Sequence, residues 1–74
     1  MLIDQTHTWS KVSNQEYRHN KYEWVCLIAD CEDEFYWDCC NPYGKIHRDK
    51  NGDMREETFE AIKARAEKWL DNGI

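Results

Sequence analysis

Two runs of aromatic, β-branched and other apolar residues, Tyr22 to Ala29 and Phe35 to Cys40, are separated only by the acidic stretch Asp30 to Glu34. Such residues favour pleated, extended backbone. The runs are therefore expected to pair as antiparallel strands, with the acidic stretch turning between them. Centring the hairpin near Glu32 and Asp33 sets Cys26 opposite Cys39 and Ile28 opposite Trp37. Trp24, Cys26, Ile28, Trp37 and Cys39 then share one face. Val25, Leu27, Ala29, Tyr36, Asp38 and Cys40 share the other. A slip of one residue would exchange the faces of one strand. Both faces are apolar, so a single covering element leaves the other to meet solvent or a partner.

Turn signals and periodicity place the remaining elements. Thr6 to Val12, around Trp9, reads as an edge strand and Ser13 to Gln15 as a turn; Tyr17 belongs to this strand or to a second short one. Asn41-Pro42-Tyr43-Gly44 is a turn, because Pro cannot donate to a central ladder and Gly accepts unusual backbone angles. Lys45 to Arg48 forms a further strand, ended by Asp49-Lys50-Asn51-Gly52 with its Asn-Gly turn signal. Phe59, Ile62, Ala66, Trp69 and Leu70 recur at helical spacing and predict a core-facing stripe on a helix over about 55–71. Glu56, Glu57 and Glu60 near its start, and Lys63, Arg65 and Lys68 towards its end, complement the helix dipole. Asp53 with Glu56 is a candidate capping box, Thr58 is a rival N-cap, and Gly73 suits the position just past the end.

The expected fold is α+β, with an antiparallel sheet of three to four strands over about residues 6–48. One C-terminal amphipathic helix packs on one face, and residues 1–5 form a flexible end. All 74 residues make a single domain. A chain this short hides only about 60% of its unfolded surface, so its ten aromatics, each burying about 150–250 Å², must supply a large share of the core. MLIDQTHTWSKVS has no apolar run of signal-peptide length and no stretch spans a bilayer. A cytoplasmic location with reduced thiols is expected.

Charge is unevenly distributed. Residues 22–44 hold six acidic side chains, all four cysteines and no Lys, Arg or His, while the chain as a whole carries −5. The excess negative charge therefore lies in this block. It disfavours direct nucleic-acid or membrane binding and favours a basic protein surface. Asp30, Glu32, Asp33, Glu34 and Asp38 are the candidate contacts, with Tyr36 and Trp37 as aromatic anchors. Strand residues two apart lie about 6.6 Å apart on one face, so strand carboxylates can form a regular negative array that occupies a groove meant for phosphates. A homodimer through the uncovered face or an edge strand is a further expectation.

The spacing Cys26-x4-Cys31-x7-Cys39-Cys40 lacks the paired knuckles of a structural zinc site. Vicinal cysteines on a strand point to opposite faces. No metal or cofactor is expected; Cys31, Cys39, Cys40 and His47 are the residues that would have to converge for the alternative, a zinc-stabilised module. A Cys26–Cys39 disulfide is open under the proposed register, but reducing surroundings oppose it. His7, His19 and His47 sit among polar neighbours and are expected at the surface. Asp49-x-Asn51-x-Asp53 has Met54 where a calcium loop requires Gly, so a turn explains it better. Thiols in the most negative part of the chain are poor nucleophiles, and no enzyme activity is expected.

From Trp9 through Leu70, with its short meander and a C-terminal helix ending AIKARAEKWL, the chain resembles in general character the small acidic accessory proteins of bacteriophages and prophages. The resemblance implies a protein that blocks host defence or regulatory machinery by binding it, in some members as a nucleic-acid mimic. It assigns no site residue.

Overall fold

Alternating burial organises the chain into an antiparallel sheet backed by one helix. The computed structural model describes residues 7–29 and 36–72. Its elements are β1 (Trp9–Ser13), β2 (Glu16–His19), β3 (Cys26–Ala29), β4 (Trp37–Cys40), β5 (Arg48–Asp49), β6 (Gly52–Asp53), β7 (Arg55–Glu56) and α1 (Phe59–Asp71). The main sheet has the order β1-β2-β3-β4-β7, all antiparallel, and β5-β6 is a separate small hairpin. The expected α+β class is therefore the observed one, with five strands in the sheet instead of three to four. Among the described residues no helix is long and apolar enough to cross a membrane.

The β3–β4 register differs from expectation by one residue. Cys26 pairs with Cys40, Leu27 with Cys39, Ile28 with Asp38 and Ala29 with Trp37. Since side chains alternate, the slip moves Trp37 and Cys39 to the face of Val25 and Leu27. Packing accounts for the choice. Val25, Leu27, Cys39, Met54, Ile62, Ala66 and Leu70 form the buried core, and Trp9, Tyr17, Tyr22, Trp37, Phe59 and Trp69 close around it. The observed register puts the large Trp37 ring on this face, against Phe59 at 5.0 Å between centroids. Cys26 and Cys39 fall on opposite faces, so the disulfide that the expected register left open cannot form between them.

On the face away from α1, Cys26 and Cys40 are nonetheless buried. Arg18 is the cross-strand neighbour of Cys26, and Ile46 bridges to Cys40 as the chain returns from β4. The expected Asn41–Gly44 turn makes this return. The Asn41 side chain accepts from the Tyr43 and Lys45 amides, and Gly44 takes the φ of 92° that the turn requires.

The helix begins at Phe59, four residues later than expected. Thr58, in extended conformation, accepts from the Ala61 amide through its hydroxyl at 3.1 Å and is the N-cap. Asp53 and Glu56 form no capping box. Asp53 lies in β6 and binds Arg48, while Glu56 lies in β7 opposite Trp37 and binds Arg65. Their ion pairs hold extended backbone where the acidic sequence suggested a first helical turn. The apolar stripe itself is as read: Ile62, Ala66 and Leu70 are buried, with Phe59 and Trp69 packed at its ends.

Leu27 and Ile62 are fully buried on the facing surfaces of sheet and helix. Leu27→Ala should lower the unfolding free energy by about 2–5 kcal/mol, a large part of what a domain of this size possesses. Thr58→Ala should cost about 1 kcal/mol. Asp53→Ala, whose partner pair is exposed, should cost less. Urea denaturation of the three variants checks the ranking, and a larger loss for Asp53→Ala than for Thr58→Ala would contradict the cap assignment.

Candidate functional site

The expected contact residues divide between the fold and the connection that joins β3 to β4. Asp30, Glu32, Asp33 and Glu34, together with Cys31, lie outside the described residues. Trp37 is part of the core wall, between Tyr17 and Phe59. Asp38 is engaged by its cross-strand partner: Arg55 donates Nε to Oδ1 at 2.7 Å and Nη2 to Oδ2 at 3.3 Å. The Arg55 guanidinium also lies over the Tyr36 ring, 5.4 Å from its centroid. Tyr36, half-buried, thus stands at the base of the acidic connection.

Most other acids of known position are also engaged. Glu16 binds Arg18, Asp53 binds Arg48, Asp71 meets His7, and Glu67 accepts from the Trp9 indole at 2.9 Å. Asp49 and Glu56 share Arg65. That guanidinium donates to both Asp49 oxygens, at 2.7 and 2.8 Å, to Glu56 at 2.9 Å and to the Gly52 and Arg55 carbonyls at 3.4 Å. The Arg65 hydrogen bonds hold the Asp49 carboxyl at about 2, well below its usual range. Asp49 and Asp53 are committed to arginines, and the faint calcium-loop spacing reflects a turn.

The described cysteines, Cys26, Cys39 and Cys40, do not assemble a metal site with His47. Cys39 is in the core and Cys40 on the opposite face, while His47 donates Nε2–H to the Trp24 carbonyl at 2.8 Å. Among the described residues no three His, Cys, Asp or Glu side chains converge as ligands. Burial, reinforced by neighbouring thiols, pushes Cys40 up to about 12 and Cys39 higher still.

Histidine placement departs furthest from expectation. His19 is buried, at 1% exposure, and centres a polar chain inside an aromatic cage. Its Nδ1 accepts from the Lys21 and Tyr22 amides, both at 3.0 Å, so its proton resides on Nε2. Nε2–H then donates to His7 Nδ1 at 3.1 Å, and His7 Nε2–H donates to Asp71 at 2.7 Å. The Trp9 and His7 rings meet His19 edge-on, and Tyr22 tilts across it. The strand face explains the burial, since Trp9, His19 and Val25 share the helix side at one end of the sheet. Alternation from Tyr17 to His19 in the sequence was the available signal.

At this same end Trp24, His47 and Trp69 pack ring on ring, with centroids 5.1 to 5.7 Å apart. Trp69 continues into a groove of about 810 Å³ between the β5–β6 hairpin and α1. Arg65 spans the groove to Asp49, while Arg48, Lys50 and Lys68 stand exposed along it. Comparison of the chain with known protein families, curated proteins and solved structures finds no match.

Burial first, then the neighbouring His7 and Lys21, holds His19 below its ordinary value, with Glu67 opposing. The unfolded chain therefore takes up a proton near pH 6.5 that the folded chain refuses. This contribution to stability is complete above about pH 6.5 and is lost as pH falls from there towards the folded value. Unfolding free energies measured between pH 7.5 and 5 should decline, and His19→Gln should flatten the decline. An unchanged slope in that variant would exclude His19 as its source.

Proposed function

We propose that the chain is a non-enzymatic protein-binding module whose acidic β3–β4 connection meets a basic surface on a nucleic-acid-binding protein and blocks it. The observation that carries the reading is the charge balance. Carboxylates at Glu16, Asp38, Asp49, Asp53 and Glu56 are matched by arginines of the same chain. Asp30, Glu32, Asp33 and Glu34 belong to a block of residues, 22–44, that contains no Lys, Arg or His. A group of like charges costs a small fold stability through self-repulsion, and an arginine- or lysine-lined partner relieves it.

In this reading the contact consists of Asp30, Glu32, Asp33 and Glu34, with Tyr36 at its base. Trp37 and Asp38 act through the fold, by packing and by pairing with Arg55. Such a contact would be steered over long range and weakened by salt. The thiols, raised by burial, are poor nucleophiles and weigh against a catalytic reading. A phage-type inhibitor acting in the cytoplasm fits the same features.

Affinity capture from lysate, with and without nuclease, identifies the partner and separates direct binding from bridging by nucleic acid. Glu32→Ser, Asp33→Ser and Glu34→Ser combined should then reduce its affinity about tenfold or more and flatten the salt dependence. The variant should unfold cooperatively and be no less stable than the wild type, since it relieves self-repulsion. Full affinity in the triple variant would remove the connection as the contact.

A further inference from the structure

The two ends of the sheet carry different connections. β3 leaves the core after Ala29 and β4 enters it at Trp37, so the acidic connection 30–36 is anchored where Phe59 starts the helix. At the other end the Asn41–His47 return brings His47 against Trp24 and Trp69. Lys68 follows Thr58 by ten residues, about 15 Å along the helix. It stands with Lys50 on opposite walls of the 810 Å³ groove. Arg48 pairs with the groove acid Asp53, and Arg65 is shared by Asp49 and Glu56. Neither Lys50 nor Lys68 has an ion-pair partner among the described residues, and the half-buried Trp69 lies beside Lys68. The lining thus carries a net charge of +1, with the two lysines as its unpaired cations and an indole as its apolar wall.

We propose that this groove binds the acidic β3–β4 connection of a second copy of the chain, in a head-to-tail contact. The complement is written in the same sequence. Asp30-Cys31-Glu32-Asp33-Glu34-Phe35 offers four carboxylates next to Phe35, against two lysines next to Trp69. Opposite charges meet, and an aromatic side chain accompanies each set. The groove volume lies within the range of ligand-binding clefts, about 300–1,000 Å³. Because the donor segment and the groove are different surfaces, the contact is heterologous and leaves a free groove and a free connection on every pair. Association then continues to chains of copies and is opposed by salt. The same acidic connection serves the proposed partner, so self-association and partner binding would compete.

Sedimentation of the purified chain alone, without any partner, tests the contact. At low ionic strength and high protein concentration the wild type should form dimers and larger species that revert to monomer in about 1 M salt. Lys50→Gln with Lys68→Gln should be monomeric, and so should the Glu32→Ser, Asp33→Ser, Glu34→Ser variant. Both sets exchange one polar side chain for another, and cooperative unfolding at no less than wild-type stability verifies the fold. An equimolar mixture of the two variants retains one intact groove and one intact connection. It should therefore give a heterodimer and nothing larger.

A wild type that stays monomeric at low salt overturns the proposal. So does a mixture that stays monomeric, or a dimer that persists in either variant by itself. A monomeric wild type that still captures a basic partner through the acidic connection would refute self-association alone and leave the proposed function standing.

Discussion

The Arg65 guanidinium is the interaction on which the smaller half of the fold depends. β5, β6 and β7 contribute two residues each, too few for strand pairing alone to hold them. Arg65 supplies what pairing lacks, reaching Asp49 in β5, Glu56 in β7 and the Gly52 and Arg55 carbonyls from a single position on the helix. Three of its contacts are charge-assisted, and two form a fork on one carboxylate, the geometry in which Arg is hardest to replace. The same side chain forms part of the groove. Structural clamp and candidate interface therefore share one group.

At the opposite edge of the sheet β1 is latched by polar contacts of a different kind. Trp9 reaches Glu67 and His7 reaches Asp71, so the outermost strand and its lead-in are tied to the last turns of the helix. His19 lies behind both contacts, with its ring nitrogens committed to two amides and to His7. A buried imidazole is tolerated because every polar atom is paired, and a proton added to it disturbs the arrangement. The fold is thus closed at both sides by hydrogen-bonded networks, with the apolar core between them.

Electrostatics link this architecture to the proposed roles. Arginines inside the fold pair with Glu16, Asp38, Asp49, Asp53 and Glu56. Four further acids fall in the sequence between β3 and β4, and Lys50 and Lys68 line the groove. The proposed inhibitor contact and the proposed contact between copies both use this acidic segment, and competition between them would be a way to hold the inhibitor in reserve.

Local patterns in the chain carry much of the fold. The helical stripe from Phe59 to Leu70 is a repeated local pattern, and periodicity reports such patterns directly. Apolar strands around 26–29 and 37–40 and the turns at Asn41–Gly44 and Asn51-Gly52 are equally local. The α+β class follows from their order. What the sequence could not decide was every choice between neighbours one residue apart, or between two partners for one side chain. The β3–β4 register turned on whether Trp37 or Tyr36 faced the helix, a matter of fit against Phe59 and Tyr17. Asp53 and Glu56 resemble a helix start, but Arg48 and Arg65, brought near by the fold, claim them for extended backbone. His19 reads as polar and exposed because the groups that satisfy it come from residues 7, 21 and 22. Composition and periodicity by themselves determined the class of fold and the placement of negative charge. Tertiary structure alone decided which acids are neutralised, which histidine is buried and where the lysines converge, because those outcomes depend on contacts between residues far apart in the chain.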